Sequence, residues 1–165
     1  MQITPTQIPD VLLITPQVFG DHRGFFMETY QAQKMAEAGI NANFVQDNHS
    51  GSQHGTLRGL HYQIQQPQGK LIRVLEGAIF DVAVDLRRHS PTFGQSASFV
   101  LSAENNRMAW IPPGFAHGFL SMEDGSTVLY NDITEPGGRT QQIVLLYEIP
   151  YQGQKRIERN FTYAV

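Results

Sequence analysis

The chain has 165 residues, 41% hydrophobic and 16% charged, with a formal net charge of −3 and no cysteine. This composition suits one globular domain with its own core, 1–165, and excludes a disordered chain, a disulfide scaffold, a thiolate nucleophile and cysteine-ligated zinc. The small negative charge provides no field for nucleic acid or an anionic membrane, so an anionic ligand must be held by local basic residues.

In chain order, the N-terminus carries no basic region followed by a long apolar run, and no later stretch approaches the roughly 20 apolar residues of a membrane helix. The expectation is a cytoplasmic protein with no membrane partner. Val11–Thr15 is an apolar strand ended by Pro16. Gly20, Gly24 and the polar residues between them predict a tight turn, with a strand over Phe25–Glu28. Residues Thr29–Ala38 form the one expected helix, with Thr29 as N-cap and Gly39 as its stop. Short strands follow at Phe44–Asp47, Leu57–Gln63, Lys70–Glu76, Ala78–Leu86, Ser96–Leu101, Arg107–Ile111, Gly118–Met122 and Ser126–Asp132, bounded by Gly and Pro. Many short strands and one short helix predict an all-β sandwich or jelly roll.

Alternation sorts the side chains. Phe80, Val82 and Val84 share one face of their strand, and Asp81, Ala83 and Asp85 share the other. His61 and Gln63 share a face with Gly59, opposite Arg58, Leu60 and Tyr62. A barrel lined by Gly, His, Gln and Asp has a polar interior, which a site needs and a core does not.

Gly59-Leu60-His61-Tyr62-Gln63 and Pro112-Pro113-Gly114-Phe115-Ala116-His117 resemble the paired motifs of cupins. Metal-binding cupins place two histidines two residues apart in the first motif. Here the second position is Gln63, and an amide is a poor ligand for transition metals. The expectation is a site that uses no metal and no cofactor.

Five ordered segments make the likeness specific: Pro16–Phe26 with Glu28, Phe44–Ser50, Leu57–Gln63 with Gly69–Val74, Phe80–Arg87 with Ser90–Gly94, and Trp110–Phe119 with Leu129-Tyr130. Together they resemble the dTDP-4-dehydrorhamnose 3,5-epimerase family from about residue 8 to about residue 134. The resemblance implies a cupin-type jelly roll, a homodimer that shares strands and a thymidine diphosphate 4-keto-6-deoxy sugar as substrate. It implies His61 as proton acceptor and Tyr130 as proton donor. It also implies that Arg23, Glu28, Gln46, Asn48, Arg58, Lys70 and His117 bind substrate.

The residue types suit that chemistry. A 4-keto sugar has acidic C–H bonds at C3 and C5, and inverting either carbon needs a base of near-neutral pKa, an acid opposite it and a donor for the enolate oxygen. Imidazole supplies the base. Lys70, on a strand that reads as buried, suits the enolate or a diphosphate, with a salt bridge to Asp81 as the structural alternative. Arg23 and Arg58 are suited to phosphate. Gln46 and Asn48 share a strand face and can read the thymine edge or sugar hydroxyls.

From about Glu135 onward, over 135–165, the sequence departs from the resemblance. The aromatic pair that follows the donor Tyr in the family is absent, as is the C-terminal Asp that pairs there with the catalytic His. Asp81 or Asp85 is the expected substitute for that Asp, and Tyr147 or Tyr151 for the stacking aromatic. Two alternatives stay open at this point: a relative that binds a dTDP-sugar with impaired catalysis, and an enzyme that inverts only one carbon.

Overall fold

The computed structural model describes residues 1–133. Tyr147 and Tyr151, the expected substitutes for the stacking aromatic, and the rest of the divergent segment 135–165 lie outside the described residues. Twelve strands and one helix run in the order β1 Gln2–Pro5, β2 Leu12–Thr15, β3 Val18–Asp21, β4 Gly24–Met27, α1 Ala32–Glu37, β5 Gln46–Ser52, β6 Leu57–His61, β7 Lys70–Glu76, β8 Ala78–Asp85, β9 Ser96–Ser102, β10 Met108–Ile111, β11 Phe115–Ser121 and β12 Ser126–Asp132.

They form a six-stranded sheet ordered β1-β2-β10-β7-β12-β5, a four-stranded sheet ordered β6-β11-β8-β9, and the β3–β4 hairpin. Every pairing among the described residues is antiparallel. This is the cupin-type jelly roll that the resemblance implies, one of the two all-β architectures the strand spacing allows.

The core fills the space between the two larger sheets. Ile72, Val74 and Val128 from one sheet meet Ile79, Ala83, Ala97, Leu101, Phe115 and Phe119 from the other. Period-2 alternation explains the membership, because β7 and β12 each send every second residue inward. The inward set changes character along each strand. On β7 it runs Lys70, Ile72, Val74; on β12 it runs Val128, Tyr130, Asp132. Lys70 is registered against Asp132, so the polar ends of both strands coincide. The barrel therefore has an apolar end, where the core sits, and a polar end.

The helix is shorter than expected. Gln31, not Thr29, caps it, its side-chain oxygen accepting from the Lys34 amide at 2.6 Å. Gly39 ends it with φ of +84°, and the Ile40 amide then bonds the Met35 carbonyl, which ties off the last turn. Met35 and Ile40 pack on Ile14, Leu71, Met108 and Trp110, so α1 covers the outer face of the six-stranded sheet.

The expected strand Phe44–Asp47 begins instead at Gln46 and continues to Ser52. Phe44 precedes the strand and packs in the helix cluster. Likewise, β11 starts at Phe115, three residues before the expected Gly118, because Phe115 and His117 both face the barrel and pair with β8.

Two glycines separate backbone strain from packing. Gly77 and Gly125 have φ of +71° and +72°. A Cβ at Gly77 would meet Ser126 Oγ at 2.5 Å and Ser126 Cα at 3.0 Å, whereas one at Gly125 meets nothing within 4 Å. Gly125→Ala should cost about 1–2 kcal/mol from its left-handed backbone alone. Gly77→Ala should cost about 1–3 kcal/mol more, since Ser126 is fully buried and cannot retreat. Urea unfolding of the two variants measures the difference, and equal losses would contradict the packing argument.

Candidate active site

Two adjacent cavities open at the polar end, with volumes of about 300 and 230 Å³. Asn48, His61, Lys70 and Asp132 line both of them. Gln46, Tyr62, Gln63 and Phe115 are among the other residues of the larger, and Arg58, His117 and Tyr130 among those of the smaller. The structure thus brings together seven of the expected site residues: Gln46, Asn48, Arg58, His61, Lys70, His117 and Tyr130.

His61 and His117 are direct partners on neighbouring strands, β6 and β11. Directly opposed residues in a sheet project to the same side, so both rings face the barrel. Close approach of the two strands is built from glycine. A Cβ at Gly59 would lie 2.6 Å from Gly118 Cα, and one at Gly118 would lie 2.6 Å from the Arg58 carbonyl oxygen.

The two imidazoles have different surroundings. His117 is buried, and its Nε2 lies 2.9 Å from Oδ2 of the fully buried Asp81. His61 remains accessible on the cavity wall. Its pKa is held below the ordinary imidazole value, first by partial desolvation, then by the positive charges of His117, Lys70 and Arg58.

Neither expected orienting carboxylate serves His61. Asp81 is bonded to His117 because the β8–β11 register puts Phe119 opposite Asp81 and leaves His117 two residues along the same face. Asp85 is held by Arg87, Ser90 and Thr92 at the far end of β8. Burial pushes Asp85 upward, but those hydrogen bonds prevail and hold it well below the usual carboxylate range.

Lys70 pairs with Asp132 at 2.8 Å rather than with Asp81, and it also donates to Gln68 at 2.8 Å. An ammonium has three donors, so one remains for the cavity. Arg58 is anchored through Nε on Ser52 and through a terminal nitrogen on the Gly51 carbonyl, both at 2.9 Å. On the opposite sheet, the Tyr130 hydroxyl lies 3.0 Å from Ser50 Oγ. Burial pushes its pKa up to about 12, with Asp81 adding to the rise, so the phenol holds its proton at neutral pH.

Arg23 and Glu28 stand apart from both cavities. Arg23 is at the turn of the β3–β4 hairpin, 79% exposed and forked onto Asp21, while Glu28 pairs with Lys34 at 2.6 Å. Asp132, Gln68 and Ser50 were not singled out in the sequence. The signal for Asp132 is its place two residues after Tyr130 on one strand, which puts both side chains on one face. Among the described residues, no group of three His, Asp or Glu side chains converges as a metal site would require.

Known proteins with this sequence pattern are numerous. The sequence model of the dTDP-4-dehydrorhamnose 3,5-epimerase family matches residues 5–143. The dTDP-4-dehydrorhamnose 3,5-epimerase of Pseudomonas aeruginosa is 59% identical over 131 residues, which cover 79% of this chain and 72% of that one. The structure of dTDP-6-deoxy-D-glucose-3,5-epimerase from Legionella pneumophila, in complex with dTDP-4-keto-L-rhamnose, superposes with a TM-score of 0.80 at 52% identity, covering 82% of this chain and 73% of that one. A dTDP-4-dehydrorhamnose 3,5-epimerase from Bacillus anthracis, with TDP and PPi bound, gives a TM-score of 0.87 at 39% identity over 93% and 91% of the two chains. A match across that span, on a jelly roll with paired histidines in its mouth, makes this chain a member of the dTDP-4-dehydrorhamnose 3,5-epimerase family.

Proposed function

We propose that this chain inverts C3 and C5 of dTDP-4-keto-6-deoxyglucose to give dTDP-4-keto-rhamnose, the epimerase step of dTDP-rhamnose biosynthesis. The observation that carries the reading is the placement of His61 and Tyr130 on opposite sheets, lining one cavity with Lys70 and His117. Inversion requires a base on one face of the carbon and an acid on the other, and a cavity walled by both sheets provides two faces.

His61 is the proton acceptor. Partial desolvation, and after it the nearby positive charges, hold its pKa below the ordinary imidazole value, which favours the neutral form that can take a proton. Tyr130, holding its proton, returns one from the far side. The remaining N–H of Lys70 donates to the oxygen at C4, where the enolate charge develops, and His117, steadied by Asp81, assists. Arg58 faces the same cavity and suits the diphosphate, while Gln46 and Asn48 present amides to the base or the sugar.

The same reading holds the described domain to be a cytoplasmic homodimer. β1 is an edge of the six-stranded sheet, and such an edge is commonly covered by a second copy. Phe19, Phe25 and Phe26 on the hairpin are 56%, 66% and 71% exposed, an apolar surface that a partner subunit would bury. With its tip carrying Arg23, the hairpin would then place that guanidinium and Glu28 at the partner's cavity.

Incubation with dTDP-4-keto-6-deoxyglucose in deuterated water tests the chemistry. Deuterium should enter at C3 and C5, seen by NMR; label at one carbon would reduce the reaction to a single inversion, and none would remove the epimerase reading. His61→Ala should lower exchange at least about 100-fold while dTDP binding survives. Wild-type turnover in that variant would remove His61 from the mechanism.

The pH dependence has a definite sign. A base works when deprotonated, so a depressed His61 pKa moves the acid limb of kcat/KM below about pH 6.5. Tyr130 should impose no basic limb short of about pH 11. An acid limb at or above about pH 7 would contradict the cationic surroundings assigned to His61. Sedimentation equilibrium should give twice the chain mass, and Phe25→Ser/Phe26→Ser should shift it to the monomer; a wild-type monomer at micromolar concentration would end the dimer proposal.

A further inference from the structure

A chain of hydrogen bonds crosses the polar end of the six-stranded sheet. Lys70 Nζ donates to Asp132 Oδ1 at 2.8 Å, Asn48 Nδ2 donates to Asp132 Oδ2 at 2.8 Å, and Gln46 Nε2 donates to Asn48 Oδ1 at 3.0 Å. The sheet register sets this up. Asp132 is opposite both Lys70 on β7 and Gln46 on β5, and Asn48 is two residues from Gln46 on the same face.

The chain has a direction that its first members dictate. Lys70 can only donate, and Asp132 in an ion pair can only accept. Asn48 must therefore turn its NH₂ toward Asp132 and offer its oxygen to Gln46. Gln46 must in turn spend its NH₂ on Asn48. What is left over is Gln46 Oε1, a buried oxygen with no hydrogen-bond partner among the described residues. Gln46 lines the larger cavity. An orphaned buried amide oxygen is unfavourable unless a ligand supplies the missing donor.

We propose that Asp132 is a positioning residue: its carboxylate fixes the direction of the Asn48–Gln46 amide chain and so reserves Gln46 Oε1 as an acceptor for an N–H or O–H of the bound sugar nucleotide. This rests on the sugar-nucleotide reading above. Phosphates and the 4-ketone carry no such donor. The imide N–H of thymine, the 3′-hydroxyl of the deoxyribose and the hydroxyls of the hexose do.

Substitution of one atom group should reverse the chain. In Asp132→Asn, Lys70 still demands an oxygen, so the new amide turns its NH₂ to Asn48. Asn48 then accepts, its own NH₂ faces residue 46, and Gln46 ends with a donor in the cavity instead of an acceptor. Gln46→Glu alone sets a carboxylate against the Asn48 oxygen, acceptor against acceptor. Combined, the two changes agree again: Asn48 donates to the carboxylate introduced at position 46, whose second oxygen is an acceptor at the cavity.

The test is calorimetric titration of all four proteins with dTDP, N3-methyl-dTDP and dTDP-glucose. Each single variant should weaken its donor ligand roughly tenfold or more, and the double variant should recover most of that loss. If the donor is the thymine imide, both losses appear with dTDP, and N3-methyl-dTDP binds wild type about as weakly. The deoxyribose 3′-hydroxyl as donor would give losses with dTDP while N3-methyl-dTDP binds wild type as tightly as dTDP does, and a hexose hydroxyl would confine the losses to dTDP-glucose. Each of these patterns supports the proposal, because packing alone gives two losses that add.

A double variant as weak as the worse single would overturn it while leaving the epimerase reading intact, provided wild type binds. Wild type that binds neither dTDP nor dTDP-glucose would overturn both. Should Asp132→Asn fail to fold, Gln46→Glu and the double variant carry the test, and a double variant that neither folds nor binds counts against the chain.

Discussion

The register of β11 between β6 and β8 determines whether this barrel has a site at all. A slip of one residue would send every side chain of the strand to the other face. All seven residues of β11 are buried, so hydrophobicity alone does not say which way it faces. Volume does. Phe115 and Phe119 fit the space between the sheets, while Ala116 packs with Leu60, Val82 and Val84 on the outer face. Gly118 must face Gly59, because neither position has room for a Cβ. Steric closeness of two backbones thus carries His117 to its place opposite His61.

Once the register is set, charge follows from it. Asp81 and Asp132 are both buried, and each has a basic partner, Asp81 the His117 imidazole and Asp132 the Lys70 ammonium. A buried carboxylate without a partner is costly, and the pairing answers that cost. It also gives the two histidines different surroundings. The imidazole of His117 has a buried carboxylate beside it. His61, ringed by His117, Lys70 and Arg58, does not, and its protonated form is disfavoured. The asymmetry between them comes from where the acids sit on β8 and β12, not from any difference between the rings.

Much of this was legible in the sequence, and the gaps have physical reasons. Alternation along β8 placed Asp81 and Ala83 inward and Val82 and Val84 outward, as the clusters show. The bounds of Lys70–Glu76 and Ser126–Asp132 agree with the structure, since short apolar runs fill both between turn residues. By contrast, β5 reads Gln-Asp-Asn-His-Ser-Gly-Ser, which carries no apolar periodicity. Its inward residues line a cavity rather than a core, so the strand signal was given up to the site. The partners of Asp81 and Lys70 were out of reach for another reason. A strand's faces are local, but which strand lies alongside, and in what register, is set by the whole sheet. The hairpin strand β3 was missed because all four of its residues are exposed and leave no buried face to read.

That exposed hairpin bears on how an anionic ligand is held. The formal net charge of −3 works against a diphosphate, so attraction must be local. Within one chain the cavity offers Arg58 and Lys70 as permanent cations, and Lys70 is already tied to Asp132. Arg23 is the next guanidinium in the sequence likeness, yet it sits on a turn beyond its own cavities, with three exposed phenylalanines on the hairpin strands below it. Burying those rings against a second subunit is favourable by itself, at roughly 25 cal/mol per Å² of apolar surface. In the dimer proposed above, the association energy of the phenylalanines would bring the guanidinium along, and the charge needed for the ligand would cost the isolated fold little: Arg23 is forked onto Asp21 and stays solvated until a partner's cavity receives it.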